Sequence, residues 1–240
     1  MNKPLLLLPG LMCDRAVWTE QIAALSAKAT CVVPDYGRVD SITAMAQAVL
    51  RVAPGRFALA GHSMGGRVAL EIVRAASERV THLALLDTGW QARPAGELGE
   101  AEARQRQHLV DLAYASGMRA MGREWVRGMV HPERLGDEIL IESILAMIER
   151  RTPDGFAAQI RALLNRPDAG DVLQTITCPT LVLCGRQDAW SPLARHEAMA
   201  GLIHSSRLEV VEDCGHMSTM ERPADVSASL HRWLDRSAQP

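Results

Sequence analysis

Short, fully apolar runs alternate with longer stretches in which apolar residues recur every three or four positions. The runs at 5–9, 30–33, 57–60, 82–86, 180–184 and 207–211 predict six short strands. The stretches at 17–27, 42–52, 67–76, 192–202 and 224–234 predict helices between them. A strand that is apolar at every position is buried on both faces, which points to a parallel sheet covered by helices. Crossovers in such a sheet are right-handed, and ligands bind beyond the carboxyl ends of its strands.

The alternation stops after Asp87. Between 89 and 170 the helical period continues without a strand, over 100–115, 119–129, 137–150 and 153–165. The strand pattern resumes at Pro179. The predicted organisation is therefore an α/β core domain, 1–88 and 171–240, with an all-helical cap, 89–170, over the edge where ligands bind. The third cap helix has a wide apolar face (Ile139, Leu140, Ile144, Leu145, Ile148), and methionines recur at Met118, Met121 and Met129. Packing of the cap on itself and on the core accounts for most of these. The charged run at 102–106 reads as a solvated helix face. No internal repeat or low-complexity segment interrupts the pattern.

Composition narrows the class. The 240 residues are 48% hydrophobic, enough for one sizeable core. A net charge of −2, with both signs interspersed, offers no basic stripe for nucleic acid, and 4% aromatics offers no stacking platform. The opening leucines meet Pro9 and Gly10 at once, so they are too short for a signal core or a membrane span. The expectation is a soluble, cytoplasmic protein, a monomer or small homo-oligomer. Five widely spaced cysteines without a C-x-x-C suggest neither disulfides nor zinc and read as small buried hydrophobes.

Candidate chemistry centres on Gly61-His62-Ser63-Met64-Gly65. A serine between two glycines, after a strand and before a helix, is the nucleophile-elbow pattern. The sharp turn strains the serine backbone, and flanking residues without Cβ let strand and helix pass closely. Serine is a poor nucleophile at neutral pH and needs a histidine base oriented by a carboxylate. Asp188 leaves the fifth strand and His216 leaves the sixth, so all three can converge at carboxyl ends. Asp87, which also ends a strand, is the rival acid. Asp213 is read as shaping the loop before His216. His62 is read as structural, and His108 and His131 as surface residues.

With Gly61-His62-Ser63-Met64-Gly65-Gly66, Gly185-Arg186-Gln187-Asp188 and Gly215-His216 in place, the chain resembles the α/β-hydrolase superfamily. The likeness runs from Pro4 to about Leu234. Arg166-Pro167-Asp168 looks like small bacterial esterases and enol-lactone hydrolases. The resemblance implies a mostly parallel six-stranded sheet, two strands fewer at the start than many relatives, and Ser63, Asp188 and His216 as catalytic residues. It also implies an oxyanion hole from the backbone N–H groups of Met64 and Leu11. Relatives often carry histidine where this chain has Pro9, which has no side-chain donor to order that loop. Trp190, Met217 and Trp125 are expected at the substrate pocket. Arg119, Arg123 and Arg127 could bind a carboxylate but read more simply as a solvated face.

The implied activity is hydrolysis of a small-molecule ester or lactone through an acyl-enzyme, with no metal or organic cofactor. Serine at position 63 argues against a dehalogenase of this fold, which carries aspartate there. Carbon–carbon bond hydrolysis of a dienoic acid, thioesterase, perhydrolysis, or ligand reception without turnover are the alternatives.

Overall fold

The apolar runs become β1 (Lys3–Leu8), β2 (Ala29–Val32), β3 (Phe57–His62), β4 (Val80–Leu86), β5 (Thr180–Gly185) and β6 (Ser206–Val211). The computed structural model describes residues 3–237. The strands form one sheet in the order β2-β1-β3-β4-β5-β6, and every described pairing is parallel. β3 and β5 are buried at every position, as the unbroken apolar runs require.

The helices are α1 (Thr19–Leu25), α2 (Ile42–Val52), α3 (Met64–Ala76), α4 (Gly96–Ser116), α5 (Met118–Trp125), α6 (Glu138–Glu149), α7 (Pro153–Leu164), α8 (Gly170–Thr175), α9 (Leu193–Leu202), α10 (Ser218–Glu221) and α11 (Pro223–Leu234). Local chemistry sets several boundaries. Ser41, Asp137 and Thr152 accept backbone N–H groups at the starts of α2, α6 and α7, and Pro153 occupies the first turn of α7. The helix predicted over 17–27 begins instead as a 3-10 turn, Arg15–Trp18, because Asp14 caps Ala16 N–H. The helix predicted over 119–129 stops at Trp125 and tightens into a 3-10 turn, Val126–Gly128. Two short helices, α8 and α10, have too few residues to show a period and escaped the pattern.

Helices α4 to α7 lie between β4 and β5. α4 packs on α5 and α7, and α5 packs on α6. α8, although it follows them directly, packs on α3 and α9 of the sheet's flanks. No helix among the described residues is long and apolar enough to cross a membrane. The five cysteines are free: Cys13, Cys184 and Cys214 are buried, Cys31 and Cys178 half-buried. Burial raises their thiols, Cys13 to about 12.

The turn from β3 into α3 is the tightest point of the fold. α3 begins at Met64, three residues earlier than its apolar period suggests, because glycines form its first turn. A Cβ on Gly61 would collide with the Gly65 carbonyl, and a Cβ on Gly65 with the Leu8 carbonyl of β1. A methyl at Gly65 must therefore push α3 off the sheet. Gly65→Ala is expected to destabilise the protein by about 1–3 kcal/mol, the usual cost of overpacking. Chemical denaturation checks this, and an unchanged midpoint would show that the close approach is not needed.

Candidate active site

Ser63 sits in the turn with φ 54° and ψ −117°, outside the regions a residue with a side chain prefers. Its neighbours hold it there. Its N–H donates to Leu86 O (2.8 Å), and its carbonyl accepts from Thr88 Oγ1 (2.6 Å) and Gly66 N–H (3.0 Å). The side chain projects to the carboxyl edge of the sheet, above the first turn of α3. Met64 is the first residue of that helix, so its N–H has no partner within it.

His216 arrives on the loop after β6. Its N–H and that of Met217 both donate to Met129 O, at 2.8 and 3.1 Å. Glu221 fixes the loop from below, its carboxylate accepting N–H groups of Gly215, Met217 and His131. His216 Nε2 lies 2.8 Å from Ser63 Oγ, and Nδ1 lies 2.8 Å from Asp188 Oδ2. The other oxygen of Asp188 accepts N–H groups of Trp190 and Ser191, both at 2.8 Å. An ionised carboxylate only accepts, so Nδ1 carries the proton and Nε2 is free to accept from the serine.

Electrostatics separates the two buried carboxyls. Burial opposes the charge of Asp188, but His216 and the Ser191 N–H outweigh it and hold the carboxyl below its usual range. Burial also opposes an imidazolium at His216, and the charge and hydrogen bond of Asp188, helped by Glu221, outweigh it, so its pKa is raised. Asp87 is fully buried with φ 48°. Burial and the nearby Asp188 charge push its carboxyl well above the carboxylate range. Its oxygens face Gly185 N–H (3.0 Å) and Ser218 Oγ, not His216 Nδ1. The rival acid is therefore a neutral, internally bonded group beside the Asp188 pair.

Two further histidines stay neutral. His62 Nε2 donates to His216 O (2.8 Å), and burial lowers its pKa to about 4. His196 accepts Thr88 N–H at Nε2 (3.0 Å), and burial lowers it to about 4 as well. Both sit behind the reactive edge: His196 fixes the Thr88 that holds Ser63, and His62 supports the His216 backbone.

A cavity of about 620 Å³ opens over Ser63 and His216. Leu11, Met64, Trp125 and Trp190 line it. Met217 does not; it is fully buried under the loop, a correction to its expected place at the pocket. The run at 102–106 is corrected in part: Glu102 and Arg106 are half-buried and line the cavity, whereas Arg104 and Gln105 are exposed as expected of a solvated face. Periodicity marked a charged face without showing what it faced. Arg123 and Arg127 are exposed, and Arg119 pairs with Glu142 and Glu149 on the outer surface. The arginines in the cavity are Arg67, Arg106, Arg166 and Arg195, from four separate elements. His108 is exposed against Glu124, and His131 caps a 3-10 turn. Asp213 has φ 46° and anchors its loop through Arg222, which donates to its carbonyl.

The loop after β1 is ordered without a histidine. Met12 N–H donates to Gln159 Oε1 of α7 (3.0 Å), and Arg151 donates to Cys13 O (2.6 Å). Neither partner is near in sequence, so nothing local signalled them.

The sequence pattern of the alpha/beta hydrolase family matches residues 5–229, and the chain belongs to that family. It is a hydrolase acting on ester bonds. It is 28% identical to a pimeloyl-[acyl-carrier protein] methyl ester esterase of Aromatoleum aromaticum, over 96% of this chain and 98% of that one. It is 26% identical to 3-oxoadipate enol-lactonase 1 of Acinetobacter baylyi, covering 89% and 82%. A thermophilic esterase from Thermogutta terrifontis superposes with a TM-score of 0.87 at 31% identity, covering 100% and 92%.

The neutral histidines carry a stability signature. A histidine of folded pKa about 4 takes up fewer protons than the unfolded chain, whose histidines titrate near about 6.5. Their contribution is complete above that value and is lost as pH falls toward 4. The melting temperature is expected to fall over this window, and less steeply in His196→Gln. Scanning calorimetry at a series of pH values checks it, and equal slopes would exclude His196.

Proposed function

We propose that the protein hydrolyses a small-molecule carboxylic ester or lactone through an acyl-enzyme, with Ser63 as nucleophile, His216 as base and acid, and Asp188 as the orienting carboxylate. The observation that carries this is the unbroken 2.8 Å chain from Asp188 through His216 to Ser63, open to a cavity. The esterase and enol-lactonase relatives support the same reaction class. Helices α4 to α7 act as the cap that shapes the pocket.

In this reading His216 Nε2 takes the Ser63 proton as Oγ attacks the carbonyl carbon. The tetrahedral oxyanion forms beside the N–H groups of Leu11 and Met64, where fixed donors stabilise it without reorganisation. His216 then protonates the leaving alcohol, or the ring oxygen of a lactone. Water, deprotonated by the same nitrogen, attacks the acyl carbon and releases the acid. Asp188 stays ionised throughout and stabilises the imidazolium. In a lactone both halves of the product remain joined, and deacylation releases a hydroxy acid.

A fluorophosphonate probe is expected to label Ser63, with labelling lost in Ser63→Ala and strongly slowed in a His216 variant. A folded protein that is never labelled would leave a ligand-binding role on the same fold. Asp188→Asn should lower kcat by about 10³–10⁴-fold by inverting the His216 tautomer. Asp87→Asn, the isostere of a neutral acid, should cost less than about tenfold. The reverse order would make Asp87 the acid.

Only neutral His216 can accept the proton, so kcat/KM should fall as pH is lowered through its raised pKa. The midpoint of the acid limb is expected above the ordinary histidine value of about 6.5. A limb centred below that value would contradict the Asp188–His216 coupling.

A further inference from the structure

Four guanidinium groups share the cavity with Ser63, and of the two acids that line it, Asp87 is bonded to Gly185 and Ser218 while Glu102 faces the arginines. Glu102 is already taken. Arg166 meets it with both prongs, at 2.7 and 2.8 Å, and Arg106 Nε approaches at 2.9 Å while its plane lies over the Trp190 ring. These contacts make a rigid floor. Arg67 and Arg195 stand apart from it.

Among the described residues neither Arg67 nor Arg195 has an ion-pair partner. Arg67 Nη1 donates to Gln91 O (2.8 Å) and Arg195 Nη1 to Trp190 O (3.3 Å). Both are half-buried. Both lie over the bare backbone of Gly89, where a Cβ would come within 2.7 Å of Arg195 Cδ and 3.2 Å of Arg67 Nη2. Burial, then Arg166, Arg195 and Arg106, disfavour the charge on Arg67, and Glu102 offsets only part of this. Arginine does not lose its proton under such pressure; it takes an anion. Two partly desolvated cations that no carboxylate contacts are costly, since Asp188 and Glu102 favour their charge only from a distance, and they become favourable when an oxyanion bridges them.

Position makes this a substrate site. Arg67 lies four residues after Ser63 along α3, one turn or about 6 Å along the helix axis. An anion held there belongs to the molecule whose carbonyl meets Ser63. The planar forks match the two oxygens of a carboxylate. We propose that Arg67 and Arg195 form an anion subsite, and that the preferred substrate is an ester bearing a second, free carboxylate: a half-ester of a dicarboxylic acid, or the lactone counterpart. This rests on Ser63 acting as the nucleophile.

The test compares monomethyl with dimethyl esters of the diacids from succinate to suberate. The wild type is expected to prefer the half-ester in kcat/KM by at least about tenfold, equivalent to about 1.4 kcal/mol. Arg67→Gln and Arg195→Gln should each cut that preference by at least about fivefold, largely through KM, with partial rescue by Arg67→Lys. Arg119→Gln, on the outer surface, should leave both rates unchanged. Independently of turnover, calorimetry should detect glutarate binding to Ser63→Ala and its loss when Arg67→Gln is added.

Turnover of both esters without preference, and no glutarate binding, overturns the subsite while the hydrolase reading stands. Glutarate binding that depends on Arg67, with no ester cleaved, supports the subsite and overturns Ser63 hydrolysis. A stronger preference for a phosphate-bearing ester of equal length overturns the carboxylate assignment.

Discussion

The structure depends on one close approach, that of α3 to β1 and β3 around Ser63. Two missing side chains, at Gly61 and Gly65, let helix and strands pass with backbone against backbone. The serine between them must then take a positive φ. That cost is met by three hydrogen bonds to its backbone and by the sheet beneath. The same geometry that strains Ser63 aims its oxygen outward and sets the Met64 amide below it. The outward aim of the hydroxyl and the packing at this point are therefore one constraint seen twice. A larger residue at either glycine would relieve neither.

Around that point the chain spends buried polar groups freely, and most have a partner in view of the chemistry, His62 Nδ1 being an exception. Asp188 and Asp87 lie close together, yet their surroundings drive them to opposite charge states. Asp188 gathers two amides and an imidazole; Asp87 gathers one amide and a hydroxyl in a drier place. One negative charge, rather than two, then faces His216. His62 and His196 remain neutral and serve as fixed donors and acceptors. Polarity of this kind is hard to substitute, since removing one partner strands another.

Much of this was legible in the chain because it is local. Fully apolar strands, the glycines around Ser63, and Asp188 and His216 just past strand ends all occupy a few adjacent positions. What stayed hidden is assembled across distance. Arg67, Arg106, Arg166 and Arg195 come from four elements, and no spacing in the sequence joins them. Glu102 and Arg106 carry the right charges for solvent, and only tertiary packing turns them inward while Arg104 beside them stays exposed. Met217 sits next to His216 yet points into the core, because the loop reverses between them around Glu221. The loop after β1 relies on Gln159 and Arg151, far along the chain, where a local histidine was absent. Helices α8 and α10 were too short for any period to register.

The ties between the helical insertion and the reactive edge have a mechanical consequence. Met129 accepts the N–H groups of His216 and Met217, and Gln159 holds Met12 beside Leu11. Swinging the insertion away as a body would pull His216 and the β1 loop out of register together. On the proposed function, a cap that swung away as a hinged door would take the centre apart, so substrate would enter through the opening already present over Ser63.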